Sequence, residues 1–318
     1  MSRRSLWTAL GFLAPNLLGF AVFSLVPVLI SIVATFTNWD LQRTVPFQWT
    51  GMANLVELLH DTKFWLYAVN TVYLMLGMPL AIAGSLALAL LLSKKIRGIV
   101  VYRTLFYLPS FTSGVAIMIL WKSLLTPDYG PINQGIRALL ALFGLDAVIS
   151  APEWLLSTNN ILGLCPEHVG ICASQVGLGA RDAIIIMGIW VAVGGNGMLL
   201  YLAALSNISQ ELVEAGKLDG AHRWTLFRHI IWPQLAPTTF FIVVMSFIGG
   251  LQGGFEQARV MTNGGPAGTT TTLAFYIYNK AFEEFQIGYA SAVSWVLFTA
   301  ILGVTLINWR FGAKELGY

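Results

Sequence analysis

Six apolar runs, each long enough to cross a lipid bilayer, dominate this sequence. Because a helix rises about 1.5 Å per residue and the hydrocarbon core is about 30 Å thick, roughly 20 apolar residues span it. Lipid offers no hydrogen-bond partners, so each run must be helical, or broken only where protein or water covers the backbone. The sequence therefore predicts an all-α membrane protein with six transmembrane helices, near residues 10–36, 66–92, 104–121, 182–206, 238–258 and 288–308.

The composition indicates the same class. Only 10% of the 318 residues are charged, 56% are hydrophobic, and the mean hydropathy is +0.71. A soluble domain carries roughly a quarter charged residues. The net charge of +3 gives no indication of nucleic-acid binding, and two cysteines exclude a disulfide scaffold and a cysteine-rich metal site.

The N-terminus has the basic start of a signal peptide, with Arg3 and Arg4 ahead of an apolar stretch. That stretch is about twice as long as the core of a cleavable signal, and no clear Ala-x-Ala site ends it. We therefore expect an uncleaved first span.

The Lys and Arg residues predict the orientation. With six spans, one side of the membrane receives four segments, 1–9, 93–103, 207–237 and 309–318. Together these segments hold 11 of the 18 Lys and Arg in 61 residues. The opposite segments hold the other 7 in 119 residues. The positive-inside rule therefore predicts that both termini and the 207–237 loop are cytoplasmic.

The segment 122–181, between the third and fourth runs, contains many turn residues and no spanning run, and we expect an ordered external cap. Its two cysteines, Cys165 and Cys172, are separated by six residues and face an oxidising compartment in this topology. They could form one local bridge or remain two free thiols.

A charged stretch, ELVEAGKLDGAHRWTLFRHIIWPQL at 211–235, separates two apolar runs and is predicted to be a helical hairpin. Ser209 can cap its first helix, and Glu211 lies in the first turn, where the helix dipole favours an acid. Asp219 and Gly220 interrupt the helix. Pro233 is expected to end the second helix, because a proline disfavours helix in the residue before it.

The second helix places Trp224, Phe227 and Ile231 on one face by its 3.6-residue period. One interpretation is an interfacial helix lying among lipid headgroups. The acids of the hairpin, which include Glu214, would be repelled by an anionic leaflet and favour a protein partner with basic groups.

The hairpin resembles the cytoplasmic loop signature of ABC import permeases: Glu-Ala-Ala, three residues, Gly, nine residues, then Ile-x-Leu-Pro. The matching residues here are Glu214, Ala215, Gly220, Ile230 and Pro233. Gly216 replaces the second alanine, and Trp232 replaces the leucine.

The resemblance extends along nearly the whole chain. Four stretches are similar to carbohydrate-importing permeases: NLVELLHDTKFWLYAVNT, VYRTLFYLPS, MTNGGPAGTTTTLAFYIYNKAF and GYASAVSW. The Gly-Gly-Pro sequence in the third stretch resembles the first permease subunit of maltose, trehalose and glycerol-3-phosphate importers. Residues 155–180 match poorly and resemble an insertion.

The resemblance implies a type I importer (MetI-like) permease fold in the inner membrane of a prokaryote. It implies a sugar or sugar-like solute, a second permease subunit, two ATPase subunits and an extracytoplasmic solute-binding protein. ATP and Mg would bind to the ATPase, and no cofactor to this chain. The hairpin would be the coupling helix that seats in the ATPase and drives alternating access, through Glu214, Ala215, Gly216, Asp219, Gly220, Ala221, Arg223, Phe227, Ile230 and Pro233.

Polar residues within spans are costly and are candidates for the solute pathway. The clearest are Asn70, Asn196, Gln252, Glu256 and Gln257, and three aromatic residues could stack on a sugar ring: Trp190, Tyr201 and Phe255. Single Asn or Gln residues also simply join helices. The glycine-rich stretches 194–197 and 248–254 suit either a moving pathway or tight packing.

Two other functional classes are alternatives to a permease. An enzyme that binds ATP would need a phosphate loop, and no G-x-x-x-x-G-K-[ST] motif occurs. His222 and His229 are seven residues apart, too far for an ordinary i, i+4 metal pair, so we expect no metal site. An ion-driven secondary transporter remains the alternative, although Glu256 is the only clear ionisable candidate for it.

Overall fold

The computed structural model describes residues 3–42, 46–94, 97–145, 150–163 and 176–315. In these residues the secondary structure is helical, with three isolated bridges and no strand, which confirms the all-α class. The α-helices are α1 Arg3–Phe20, α2 Val26–Thr35, α3 Ala53–His60, α4 Thr62–Leu74, α5 Met78–Leu92, α6 Ile99–Phe111, α7 Gly114–Leu124, α8 Pro131–Leu142, α9 Ala180–Val193, α10 Asn196–Ser206, α11 Gln210–Leu218, α12 Arg223–Leu226, α13 Trp232–Gln252, α14 Phe255–Gln257, α15 Leu273–Tyr278 and α16 Ile287–Glu315. Four π-helical turns join some of them, at Ala21–Leu25, Phe227–Ile231, Ala258–Thr262 and Asn279–Glu283.

Five stretches of helix are long and apolar enough to cross a membrane, and a bent pair makes a sixth if it counts as one span. The five are Gly11–Thr35, Thr62–Leu92, Ala180–Ser206, Arg223–Gln252 and Ile287–Arg310.

The third apolar run differs from the sequence-based expectation of one helix over 104–121. It consists of α6 and α7, which are bent by 92° at Thr112 and Ser113. With 13 and 11 residues, they are only about 20 and 17 Å long, so neither crosses the hydrocarbon core alone. The apolar composition continues through the bend, so hydropathy does not reveal it.

The chain forms two compact units, and the first contains the described residues up to Phe64 together with Tyr276–Thr299. Within this unit, the Asn54 amide donates to the carbonyl oxygens of Thr35 and Thr37, both at 2.8 Å, and so satisfies the C-terminal end of α2. The Trp295 indole donates to Ser31 Oγ at 3.2 Å and links α16 to α2.

A carboxylate between α3 and α4 organises the same unit. Asp61 Oδ2 accepts hydrogen bonds from the hydroxyls of Tyr276 at 2.5 Å and Tyr289 at 2.6 Å, and Asp61 Oδ1 accepts one from the Lys63 backbone N–H. Burial alone would raise the pKa of Asp61, but the two tyrosine hydrogen bonds and the backbone bonds together lower it below its usual value. The network therefore holds Asp61 in its charged form.

We expect Asp61→Asn to destabilise the protein by about 1 to 3 kcal/mol at neutral pH, because a neutral amide accepts these hydrogen bonds less strongly. A carboxylate whose pKa is lowered by folding contributes stability above its unfolded pKa of about 3.9, and loses it as the pH falls through the folded value. Apparent melting temperatures in detergent should therefore separate wild type from Asp61→Asn at pH 7, and converge at low pH. The exposed Glu283→Gln is the matched control, and a difference that persists unchanged in acid would contradict the assignment.

The second unit contains the described residues of Trp65–Phe275 and of 300–318. Its central packing places α5 against α9 and α10, with α13 alongside. The core at this end consists of Leu88, Ala89, Leu92, Met198, Tyr201, Leu235 and Ile242.

A buried carboxylate anchors the segment between the third and fourth apolar runs to this unit. Asp182, in the first turn of α9, accepts hydrogen bonds from the Tyr73 hydroxyl at 2.7 Å and from the backbone N–H groups of Ile161 and Gly179, each at 3.2 Å. Arg181 is 1% exposed and lies over the Tyr73 ring at 5.0 Å. The sequence gives no signal for this contact, because Asp182 lies 109 residues from its tyrosine partner.

The same segment packs on α7. Asn133 in α8 donates to the carbonyl oxygens of Pro127 and Pro152, and accepts from the Trp154 indole at 2.6 Å. Trp154 is 5% exposed and packs with Trp121 in one core cluster. Part of the predicted insertion at 155–180, including Cys165 and Cys172, lies outside the described residues, so the proposed bridge stays a prediction.

Candidate functional site

The first arm of the hairpin is α11. It begins at Gln210, after Ser209, but the Ser209 side chain makes no capping hydrogen bond, which corrects the sequence-based expectation. Glu211 lies in the first turn, and the arm ends at Leu218. Gly220 then adopts a φ of +79°, a left-handed conformation that glycine tolerates best, and the Ala221 N–H bonds to the Gly216 carbonyl oxygen at 3.0 Å.

The second arm does not end at Pro233, and this prediction was wrong. The arm runs as α12, the π-helical turn Phe227–Ile231 and α13, so that one stretch of 30 residues reaches Gln252. A proline lacks a donor N–H and its ring crowds the preceding turn. The wider π-helical turn lies immediately before Pro233, where such a distortion accommodates the ring.

The two arms touch at Gly216. A methyl group built there would lie 2.7 Å from Leu226 Cδ2 and 2.9 Å from Ile230 Cδ1. Both contacts are with the ends of flexible side chains, so glycine allows a closer approach than alanine without being indispensable. The departure of residue 216 from the family signature therefore has a packing explanation.

The hairpin exposes both charged and apolar groups. Glu214 is exposed, Leu218 at the tip is 89% exposed, and Trp224 is 62% exposed. Trp224 stacks on Phe227 with ring centroids 5.6 Å apart. Of the other residues predicted to take part in coupling, Ala215, Asp219, Arg223 and Pro233 are exposed, and Ala221, Phe227 and Ile230 are partly buried. This mixture suits docking to a protein, since aromatic and aliphatic anchors with charges typify interfaces.

Changing Gly220 tests whether the turn transmits force. The resemblance implies that the hairpin couples ATP hydrolysis to transport, and on that basis we expect Gly220→Val to reduce the coupling, because a β-branched residue is strained at a φ of +79°. Gly220→Asn is the matched control, since asparagine tolerates this conformation. The measurement is the number of solutes moved per ATP hydrolysed in proteoliposomes, and equal ratios in all three proteins would show that the turn is incidental.

A cavity of about 500 Å³ lies among α4, α5, α9, α10 and α13. Two of the predicted pathway residues line it, Asn196 and Gln257. Sequence reasoning missed its hydroxyl groups, which belong to Thr71, Ser85, Ser110, Ser246 and Thr272. This inner cavity combines scattered polar groups with apolar walls, as small-molecule sites do.

The other predicted pathway residues lie elsewhere. Asn70 is 0% exposed, and its amide donates to the carbonyl oxygens of Gly268 and Thr271, so it holds a loop. Tyr201 is 0% exposed and donates to Thr239 Oγ1 at 3.2 Å. Trp190 packs edge-on against Trp121. None of these three, nor Gln252, Phe255 and Glu256, is among the described residues that line the inner cavity.

Glu256 lies against the bend of the third apolar run. A methyl group built on Gly114 would be 3.0 Å from Glu256 Oε2, so the carboxylate contacts the first residue of α7. The N-terminus of a helix favours an acid. Glu256 follows the break at Gly253 and Gly254, and it therefore connects the broken fifth run to the bent third run.

Glycines allow the breaks around the inner cavity. A methyl group on Gly194, between α9 and α10, would lie 1.8 Å from the carbonyl oxygen of Phe106 in α6. Gly254 has a φ of +84°, and a methyl group there would lie 2.3 Å from Thr272 Cγ2. In both glycine stretches, a glycine at a helix break thus allows close packing, against a backbone carbonyl at Gly194 and against a side chain at Gly254.

The chain matches known proteins over nearly its full length. Residues 17–311 match the family model described as binding-protein-dependent transport system inner membrane component. The chain is 33% identical to the probable ABC transporter permease protein YesP of Bacillus subtilis, covering 96% of this chain and 91% of that protein. It is also 33% identical to the lactose transport system permease protein LacF of Rhizobium radiobacter, covering 96% and 93%.

Solved structures show the same fold. A bacterial ABC transporter involved in the import of the acidic polysaccharide alginate aligns with a TM-score of 0.76 at 24% identity, covering 98% of this chain and 96% of that one. The alginate transporter in complex with an alginate pentasaccharide-bound periplasmic protein aligns with a TM-score of 0.77 at 22% identity, covering 99% and 96%.

Proposed function

Because this chain belongs to the family of binding-protein-dependent transport system inner membrane components, we propose that it is the permease subunit of an ATP-powered sugar importer. Membership makes it a transport subunit of an ABC transporter and a multi-pass protein of the inner membrane. The solute class is supported by relatives named for lactose and for sn-glycerol-3-phosphate transport, the latter 27% identical in Pectobacterium atrosepticum. We infer a sugar or a sugar-like solute.

The main support for this proposal is the uninterrupted helix between the hairpin and the inner cavity. Residues Arg223–Gln252 join the exposed hairpin to the break at Gly253, which lines the inner cavity. A protein that docks on the hairpin can therefore move the wall of the cavity as one body. This arrangement supports alternating access driven by an external motor.

The proposed assembly has four further partners. They are a second permease subunit, two ATPase subunits that bind ATP and Mg, and an extracytoplasmic solute-binding protein. The exposed acid Glu214 and the exposed apolar tip of the hairpin support a soluble partner on that side. The distribution of Lys and Arg supports cytoplasmic termini and a cytoplasmic hairpin.

Affinity purification and reconstitution test the assembly. We expect a tagged chain to copurify with an ATPase and a second permease, and to transport in liposomes only with ATP and the solute-binding protein. A chain that transports alone on an ion gradient would instead be a secondary transporter. ATP-dependent uptake of a panel of sugars, polyols and sugar phosphates would identify the solute class.

Labelling of one introduced cysteine tests the orientation. In a Cys165→Ser, Cys172→Ser background, we expect His222→Cys to resist a membrane-impermeant maleimide in intact cells and to react after permeabilisation. Tyr129→Cys, on the opposite side in the proposed topology and 71% exposed, should react in intact cells. The reverse pattern would overturn the topology and, with it, the coupling role of the hairpin.

A further inference from the structure

An apolar groove lies at the end of the first span, within the first unit. One wall is the last two turns of α2, and the other is the loop that follows α2. The groove has a volume of about 410 Å³, and we call it the span-end groove. Its described lining residues are Leu29, Ile30, Val33, Ala34, Thr37, Trp39 and Phe47, and none of them lines the inner cavity.

The loop wall of the span-end groove is held by its own hydrogen bonds. The backbone N–H of Asn38 donates to the Gln48 carbonyl oxygen at 3.1 Å, and the Gln48 N–H donates to Asn38 Oδ1 at 2.6 Å. Asn38 Nδ2 also donates to the Pro46 carbonyl oxygen at 2.9 Å. These bonds fold the chain back and bring Phe47 into the same groove as Trp39. A site that is already ordered loses little conformational entropy when a ligand binds.

The lining of the groove offers almost nothing to a polar ligand. In the part of the chain that the structure describes, no charged side chain lines it. The Thr37 hydroxyl donates to the Ala34 carbonyl oxygen at 2.9 Å, and both residues are 1% exposed. The accessible walls are therefore the larger aliphatic and aromatic side chains. A sugar or a charged loop would lose its hydrogen bonds to water there without replacing them.

The groove is continuous with the surface that the first span presents to lipid. In the most apolar 18-residue window of the span Gly11–Thr35, only 6% of the residues are buried within the chain. The span is 25 residues, or about 37 Å, long and so already exceeds the hydrocarbon thickness of about 30 Å. Trp39 and Trp49, both exposed, therefore follow it at headgroup level, where Trp is enriched. The groove opens into the hydrocarbon of the leaflet around this end of the span.

An acyl chain fits this groove better than a helix of a neighbouring subunit does. Helices in membranes approach each other through small residues on their surfaces, whereas the small residues of this groove, Ala34 and Thr37, are buried. The volume is also only about that of one turn of a helix that is about 10 Å wide with a pitch of about 5.4 Å. A flexible hydrocarbon chain can follow the irregular wall, and an empty groove would lose the dispersion contacts of its lining.

We propose that the span-end groove binds one acyl chain of a membrane phospholipid and retains it when the protein is purified. The hydrophobic effect does not drive this binding, because lipid tails are about as apolar as the groove. The chain is retained because a concave, ordered wall gives it more close contacts than mobile neighbouring lipids do.

The bound chain stabilises the junction between the first and last spans. The Gly288 N–H, at the start of α16, donates to the Trp39 carbonyl oxygen at 3.1 Å, and the Leu41 N–H donates to the Phe285 carbonyl oxygen at 3.1 Å. Trp39 thus lines the groove and is bonded through its backbone to the first turn of α16. An occupant packed on Trp39 favours the ordered junction by the difference in its affinity for the ordered and the frayed forms.

Photocrosslinking of a retained lipid tests the proposal. The tagged chain, with the proteins that copurify with it, is loaded in liposomes with phosphatidylethanolamine that carries diazirines along one acyl chain. It is then purified in lipid-free detergent before illumination, so that adducts report retained lipid. We expect adducts on the peptides that contain Trp39 and Phe47, and Val33→Trp, which fills the groove, should reduce them about fivefold or more. Adding phospholipid should raise the apparent melting temperature of wild type more than that of Val33→Trp.

A matched control is Val22→Trp, which places the same side chain on an exposed residue of the same span outside the groove and should behave as wild type. If Val33→Trp fails to fold, Phe47→Ala removes a 68% exposed wall residue and should reduce adducts on the Trp39 peptide. Absence of adducts in wild type, or equal adducts and equal melting shifts in folded groove variants, would overturn the proposal. So would efficient crosslinking of Val33→Cys, in the cysteine-free background, to another polypeptide, because a protein would then fill the groove.

Discussion

Replacing Glu214 with alanine should weaken docking of the ATPase by about 2 kcal/mol, or about 30-fold in affinity, and leave the membrane helices folded. Glu214 is exposed on α11 and no described residue donates a hydrogen bond to its carboxylate. Its removal therefore leaves the fold intact, while a basic partner group loses its counter-charge at the interface. Truncating one residue of a charged pair across an interface typically reduces the binding free energy by this amount.

The measurement is the affinity of purified ATPase for the permease in nanodiscs, together with transport. Glu211→Ala provides the matched control, because Glu211 is an exposed acid on the same helix outside the family signature. The glutamate has no coupling role if the Glu214→Ala complex assembles and transports at the wild-type level. Loss of the melting transition in the variant would instead point to a structural role.

Replacing Gly194 with alanine should lower the stability of the second unit by about 3 kcal/mol and abolish transport. A methyl group there would lie 1.8 Å from the Phe106 carbonyl oxygen, and this atom belongs to the backbone, so one helix must shift. The φ of Gly194 is −89°, which any residue can adopt, so the cost is steric and not conformational.

The matched control is Gly135→Ala in α8, which does not line the inner cavity and where nothing lies within 4 Å of an added methyl group. Apparent melting temperatures in detergent and solute uptake in liposomes should separate the two variants. Wild-type melting and uptake for Gly194→Ala would mean that α6 and the α9 to α10 break are not held together in the working protein.

Local chemistry made the hairpin turn predictable from the sequence. Asp219 and Gly220 signal an interruption through their own conformational preferences, and the structure has the helix end at Leu218 and a left-handed glycine two residues later. The all-α class follows from hydropathy, because lipid leaves helices as the only open alternative to a closed barrel.

Other features could not be predicted from the residues around them. Pro233 usually marks a helix end, but the π-helical turn before it keeps the second arm continuous. The bend at Thr112 and Ser113 lies within uniformly apolar sequence. Nothing in the amide of Asn70 itself indicates that it binds a loop near residue 270 instead of a solute.

The inner cavity was missed in part for a similar reason. Sequence reasoning selected amides and acids, which are costly in lipid, whereas the structure supplies mostly serine and threonine hydroxyls. Such hydroxyls also bond back to their own helix, as Thr71 does to the Tyr67 carbonyl oxygen at 2.7 Å. A serine or threonine therefore gives almost no sequence signal for a pathway role.

Because the helix Arg223–Gln252 is uninterrupted, a small tilt at one end of it produces a larger displacement at the other end. Its 30 residues correspond to a rod of about 45 Å. If one end is held, a tilt of only about 5° displaces the other end by about 4 Å, more than the diameter of a water molecule. Small rocking at the hairpin end is thus enough to move the helix end at the inner cavity, with no need to stretch or unwind the helix itself.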